Sequence, residues 1–355
     1  MSSVDVIVPC YRYGRFLREC VESVLSQDIA NLRILIIDDA SPDDTSDIAA
    51  DLLKKDSRIA YVRHEYNNGH ISTYNEGIDW TSATYTLLLS ADDYLLPGAL
   101  GRAVEVMDTH NEIGFTFGKA VDLIDGDVRI DNLVNRAVAA LVDNSKWTIL
   151  TGQEFFSLIE SMRSINIVRT PTVVVRTELQ KRVGGYRHEL PHAGDLEMWL
   201  RLAAHAPVGV LGAHQAASRF HGNNMQFAYY RAKQLPDLKQ RKAAIDCFIE
   251  ECRGALANTY ELGRRLSRPL AYEALRCANG AFGDDDLELV RQLSAFAVAT
   301  YPEIRRTIPW FVLACKQWVS PNLWRGLRPA VAPVRSLIKR IPHYAAALGK
   351  TVRSD

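Results

Sequence analysis

No apolar run in the chain approaches the roughly 20 residues that a membrane-spanning helix needs. Net charge is also missing, since 42 Lys and Arg stand against 42 Asp and Glu. The six cysteines (Cys10, Cys20, Cys247, Cys252, Cys277 and Cys315) include no CxxC pair and no paired spacing. These absences argue against a membrane-spanning chain, a disulfide-stapled scaffold and a cysteine-based zinc site. The opening residues, MSSVDVIVPCYRYG, lack a cationic stretch before a long apolar core and a small-residue cleavage site, so no signal peptide is expected. Neither an internal repeat nor a low-complexity segment is found. A cytoplasmic protein with reduced thiols and at most peripheral membrane contact is the expectation.

What is present is ample for a core. At 355 residues the chain suits one large α/β unit or two domains, and 47% hydrophobic with 24% charged residues is the composition of a globular protein. The zero net charge hides an asymmetry: residues 1–300 hold 32 basic against 40 acidic side chains, and residues 301–355 hold 10 against 2. An acidic body with its basic excess at one end argues against nucleic acid as a partner.

β-Branched runs predict strands at Val4–Pro9, Leu32–Ile37, Ile59–Arg63, Tyr85–Ser90, Phe115–Ile124 and Pro171–Arg176. Between them, apolar residues at helical spacing predict helices, as at Phe16, Cys20 and Val24. Ser41 as N-cap with Pro42 at the first helical position signals the next helix, and Ile71–Trp80 another. Strands alternating with helices argue for a parallel sheet of βαβ units, in which ligands gather beyond the strands' carboxyl ends. Pro9 to Tyr11, Asp38 with Asp39, and Asp92 with Asp93 occupy three such ends. Residues 128–150 carry no clear period, and 110–190 is where substrate-facing loops are expected. Strand signals stop near Asn224, and Gln234–Leu256 and Asp284–Ala299 read as helices. The expected division is therefore 1–224, an α/β domain, and 225–355, a helical region.

Two adjacent carboxylates at a strand end repel one another, and a divalent cation relieves that cost. Asp92 and Asp93 thus point to Mg²⁺ or Mn²⁺ shared with phosphate oxygens, against the plainer reading that they cap the helix near Pro97. Asp38 and Asp39 either complement a helix dipole or accept a hydrogen bond from a base edge. Asp195, at a helix start, is a cap or a general base. His221 is a loop histidine or a metal or phosphate ligand.

Taken together, VDVIVPCYRYGRFLRECVESVLSQ, IIDDASPDDT, NNGHISTYNEGI, LLLSADDYLLPGAL and GDLEMWLRLA resemble inverting glycosyltransferase family 2 over roughly residues 3–222. The resemblance implies a GT-A fold: a Rossmann-like open twisted sheet flanked by helices, here followed by the helical C-terminal region. It implies that Pro9 and Tyr11 flank the base of a nucleotide-sugar donor, for which a UDP-linked sugar is the expectation. Asp39, with Asp38 beside it, would recognise that base. Asp92 would contact the ribose or the metal, Asp93 the metal, and Asp195 would be the catalytic base. The acceptor would be a hydroxyl of a glycan, lipid-linked glycan or secondary metabolite. Ser90 stands where the family commonly has an acid, Gly194 where it has a glutamate, and Tyr74 where an arginine often precedes the asparagine matched by Asn75.

Other classes remain in view. A nucleotidyltransferase usually has a glycine-rich basic phosphate loop near its N-terminus, where this chain has VPCYRYG. A member of the fold that binds nucleotide or a partner without turnover is the non-enzymatic reading. From Trp310 to Lys350, Trp310, Phe311, Trp318 and Trp324 mix with Arg325, Arg328, Arg335, Lys339 and Arg340. That mixture suits a membrane interface, or short helices packed on the body because Pro321, Pro329, Pro333 and Pro342 interrupt it.

Overall fold

The structure, a computed structural model, describes residues 2–124, 126–144, 146–222 and 234–318. The boundary expected at 224/225 and the tail expectation beyond residue 318 lie outside the described residues. The chain forms two compact units, one running to Gly263 and the other beginning at Arg264.

In the first unit the strands are β1 (Ser3–Cys10), β2 (Asn31–Asp38), β3 (Ile59–Arg63), β4 (Tyr85–Leu88), β5 (Tyr94–Leu95), β6 (Phe115–Ile124), β7 (Asp127–Arg129), β8 (Trp147–Leu150), β9 (Val174–Arg176) and β10 (Val208–Phe220). Its helices are α1 (Gly14–Leu25), α2 (Thr45–Lys55), α3 (His70–Trp80), α4 (Ala99–Thr109), α5 (Leu133–Ala139), α6 (Gly152–Ser161), α7 (Thr177–Val183), α8 (Gly194–Ala203) and α9 (Leu235–Glu251). The sheet runs β3-β2-β1-β4-β9-β6-β10-β5, with β7 on β6 and β8 on β10. Strands β1 to β4 are parallel, as their alternation with helices predicts. The sheet as a whole is mixed: β9 runs antiparallel to both β4 and β6.

β1 is buried from Val4 to Cys10, because helices cover both faces and leave no polar side for alternation. α3 lies so close to β1 that a Cβ on Gly77 would come within 2.2 Å of Ile7 Cγ2. Only glycine permits that approach, which holds α3 against the ligand end of the sheet.

Local hydrogen bonds shift two expected boundaries. α2 begins at Thr45 rather than after Ser41. The Ser41 hydroxyl instead accepts from the Arg12 backbone N–H at 3.0 Å, and Asp43 accepts from Gly14 N at 3.1 Å through Oδ2 and from Thr45 N at 3.3 Å through Oδ1, so these side chains tie the loop after β1 to the start of α2. Likewise β9 is confined to Val174–Arg176, because Thr170–Thr172 form a 3₁₀ turn.

α9 packs in the first unit: Phe248 meets Phe156 of α6 at a centroid distance of 5.3 Å. The second unit contains most of α10 (Thr259–Gly283), with α11 (Leu287–Thr300) and α12 (Ile308–Gln317). Its core is Leu266, Leu270, Ala274, Ala278 and Phe282 on one face of α10, with Val290, Leu293, Ala297, Ile304 and Leu313. Among the described residues no helix is long and apolar enough to cross a membrane.

Candidate functional site

The sheet register brings the expected residues to one edge. Pro9 and Cys10 lie opposite Ile37 and Asp38, and the Ala91 N–H reaches Pro9 O at 3.1 Å, which sets the 92–93 turn level with the end of β1. Tyr11 stands in the loop just beyond, 39% exposed, with the Arg12 guanidinium 5.6 Å from its ring centroid.

Asp38 and Asp39 are both buried but differ in what they hold. Asp38 accepts from Ser41 N at 2.8 Å and Tyr61 Oη at 2.9 Å, and pairs with Arg63 at 3.3 Å, which ties it to the strand ends. Asp39 Oδ1 accepts from Asn68 N at 2.7 Å and contacts His64 Nδ1 at 2.8 Å, while Oδ2 accepts from Gly69 N at 3.0 Å. A carboxylate offers about four lone-pair directions, so Oδ2 retains one for an incoming donor. The other His64 nitrogen meets Glu76 Oε2 at 2.7 Å. Burial opposes charge on this ring, yet the two carboxylates raise its pKa above the ordinary histidine value.

At the 92–93 turn, Asp93 Oδ1 accepts from the Arg219 N–H at 2.9 Å, and Asp92 Oδ2 lies 3.2 Å from His221 Nε2. The His221 ring stacks on Phe16 at 5.5 Å and meets Tyr13 edge-on at 5.3 Å, so its orientation is set by packing. Burial, and then the charge of Asp92, push the Asp93 carboxyl well above its usual range. Two buried acids in mutual repulsion beside an imidazole nitrogen fit a divalent cation, which would relieve both costs. Among the described residues no three His, Cys, Asp or Glu side chains form a metal-holding group, so such an ion would need further oxygens from its ligand. The guanidinium of Arg219, 4.8 Å from the Phe16 centroid and 4.9 Å from that of Tyr94, adds positive charge beside the carboxylates, and Arg169 adds more.

Asp195 sits in the first turn of α8, as expected, and its oxygen Oδ2 accepts from Thr170 Oγ1 at 2.7 Å. Tyr186 supplies a second hydroxyl bond, and His70 and His192 lie near enough to act through their charge. Burial raises the Asp195 pKa, and the Thr170 and Tyr186 bonds oppose that rise. The Tyr186 backbone is clamped by Asn75, which accepts from its N–H at 2.6 Å and donates to its carbonyl at 2.9 Å. A Cβ on Gly185 would fall 2.3 Å from Asn75 Oδ1, which explains the glycine there. Arg201, paired with Glu197 at 2.8 Å, donates to Gly185 O at 2.8 Å and braces the same loop from below.

Tyr74 connects Asp195 to the acid turn. Its ring packs edge-on against Tyr186 at 5.4 Å, and its hydroxyl shares a hydrogen bond with Ser90. The residues at two family departures, Tyr74 and Ser90, therefore meet one another. Thr170, Tyr186, Arg219 and Arg169 were not singled out from sequence. An Arg two places before His221 was the one local hint. Cys10, in the middle of the site, is pushed up to about 12 by burial and is no nucleophile.

Known proteins resemble this chain in sequence and in fold. The family model described as glycosyl transferase family 2 matches residues 5–152. The GalNAc(5)-diNAcBac-PP-undecaprenol β-1,3-glucosyltransferase of Campylobacter jejuni is 35% identical over 106 residues, which is 30% of this chain and 34% of that protein. Matches of this kind span only about a third of the relative's length. S. aureus TarS 1-349 with UDP-GlcNAc superposes with a TM-score of 0.61 at 18% identity over 88% of each chain. The mannosyltransferase PcManGT of Pyrobaculum calidifontis, solved with GDP-Man and Mn²⁺, gives 0.53 at 16% identity over 98% of this chain and 86% of that one. Likeness at such identity speaks for the fold, which is of the GT-A type. Over residues 5–152 the chain is similar to glycosyl transferase family 2, and its fold is the one seen in the glycosyltransferase TarS.

Proposed function

We propose that the chain transfers a glycosyl group, with inversion, from a nucleotide-sugar donor to an acceptor hydroxyl. The observation that carries this reading is the pairing of a buried acid turn, Asp92 and Asp93, with a separate half-buried acid, Asp195, held by the Thr170 hydroxyl. The base moiety would lie by Pro9 and Tyr11, with an N–H donated to the remaining lone pair of Asp39. A uracil imide suits that single acceptor, and the UDP-GlcNAc complex of the structural neighbour TarS supports a UDP-linked donor. Asp92 and Asp93, with His221 beside Asp92, would bind Mg²⁺ or Mn²⁺ only together with oxygens of the donor, and the ion when bound would stabilise charge on a diphosphate leaving group.

Asp195 takes the proton of the acceptor hydroxyl as that oxygen attacks the anomeric carbon. The bond from that carbon to the diphosphate oxygen breaks with its electron pair, so one displacement inverts the centre. A glycan or lipid-linked glycan is the acceptor class we favour, in keeping with the lipid-linked glycan named for the Campylobacter relative. Turnover of UDP-, GDP- and dTDP-sugars is to be measured with Mn²⁺ and with chelator. Release of UDP that depends on the cation supports the reading, and no turnover with any donor under either condition refutes it.

We also propose peripheral contact with an anionic membrane through the second unit. Ile308, Phe311 and Trp318 lie along one side of α12 and its C-cap at 41, 68 and 90% exposure, and Arg305 and Arg306 are exposed just before it. Equal sedimentation of full-length protein with anionic and neutral vesicles would refute this.

A further inference from the structure

We propose that Thr170 is the positioning residue of the base: its hydroxyl fixes the orientation of the Asp195 carboxylate and holds it ionised for proton transfer. This rests on the assignment of Asp195 as base and adds the means by which that base is kept ready.

Among the described residues no Lys, Arg or His forms an ion pair with Asp195, a half-buried residue whose carboxyl loses water to its surroundings. A carboxyl that loses water without compensation is pushed toward its protonated form, in which it is no base. The shortest contact opposing this is Thr170 Oγ1 to Asp195 Oδ2 at 2.7 Å. A neutral donor has a particular merit here. It favours the charged form and sets the rotamer, yet brings no cation to bind the proton's destination so tightly that basicity is lost.

Thr170 can do this because its own position is over-determined. Its 3₁₀ turn is closed by Val173 N to Thr170 O at 3.0 Å and Thr172 N to Arg169 O at 2.9 Å. The Thr172 hydroxyl donates to Arg169 O at 2.7 Å. Pro171 is buried within the turn, and threonine's branched Cβ restricts χ1. The same turn begins at Arg169, which pairs with Asp122 at 3.3 Å and lies 5.1 Å from the Phe220 centroid, next to His221. One short segment thus links the cation end of the site to the base.

The titratable groups facing Asp195 are His70 and Tyr74 from α3, Tyr186 from the loop after α7, and His192 from the turn before α8. Burial lowers the His70 pKa, and its Nε2 is bonded to Pro191 O at 3.0 Å, so it is a weak source of compensating charge. Tyr186 gives the second hydroxyl, and Thr170 is the one whose removal leaves the aromatic packing intact.

The test uses full-length protein carrying ¹³C-carboxyl aspartate, with Asp195→Asn as the infrared reference that identifies the Asp195 signal. Thr170→Val is expected to raise the Asp195 titration midpoint by about one pH unit, tenfold in the ionisation equilibrium. The acid limb of kcat should move upward by the same amount, with KM for the donor within about twofold. Thr170→Ser, which keeps the hydroxyl, should restore both. An unchanged midpoint in Thr170→Val, or a Thr170→Ser protein indistinguishable from it, overturns the proposal. Should Thr170→Val unfold, Thr170→Ala compared with Thr170→Ser reads the same midpoint. If the midpoint moves as expected but Asp195→Asn retains full transfer, the base assignment fails while the role of Thr170 in ionising Asp195 stands.

Discussion

The turn at 92–93 and the start of α8 each hold an acid whose pKa is raised by loss of water, yet they are built oppositely. Asp93 has a second carboxylate as its neighbour, and its relief comes from the Arg219 backbone N–H and from guanidinium charge nearby. Asp195 has hydroxyls from Thr170 and Tyr186 and no like charge alongside. The first arrangement suits a cation, and the second suits the proton acceptor proposed above. Burial alone therefore does not define a role, and the kind of neighbour does.

Replacing Asp195 by Asn breaks this contrast most severely. Transfer should fall roughly 10²–10⁴-fold with UDP binding retained, read by turnover and calorimetry. Stability should move the other way. Because the folded pKa of Asp195 lies above its unfolded value, the native state keeps a proton that the unfolded chain gives up. The contribution of Asp195 to stability is then greatest at acid pH and declines as pH rises through the unfolded and then the folded value. Asp195→Asn should thus melt higher than wild type at neutral pH, and the gap should close near about pH 4. A gap that is constant with pH would show that Asp195 does not titrate as described.

Arg201→Met leaves Glu197 buried without its partner and removes the brace on Gly185, so unfolding in denaturant should be easier by about 3–5 kcal/mol. At the acid turn, Mn²⁺ at about 100-fold over its Kd should stabilise the full chain by about 2.7 kcal/mol. The melting shift should vanish in Asp93→Asn and persist in Asp195→Asn, which separates the two acids by function. Asn75→Ala releases the Tyr186 backbone and should cost about 1–3 kcal/mol with a lower kcat. Trp318→Ser, at the exposed end of α12, should change stability by no more than about 0.5 kcal/mol while weakening sedimentation with anionic vesicles.

Much of the framework was legible in the chain. The runs at Val4–Pro9, Leu32–Ile37 and Phe115–Ile124 announce strands because buried parallel strands need β-branched residues on both faces. Less was legible where side chains compete with the backbone: Ser41 looks like an N-cap, but its hydroxyl serves Arg12 and α2 waits until Thr45. β9 escaped as an antiparallel insertion because three residues of Val and Arg read the same in either direction.

By itself the sequence determined which acids terminate which elements, since hydrophobic period and turn chemistry are local and place Asp39, Asp92, Asp93 and Asp195 at the ends of segments. Only the tertiary structure decided what each of them is. A carboxyl's charge depends on groups within a few ångströms, and those come from afar: Gly69 for Asp39, Arg219 for Asp93, Thr170 for Asp195. Spacing along the chain carries no record of these meetings, because they arise where the sheet's strand order brings separate loops to a common edge.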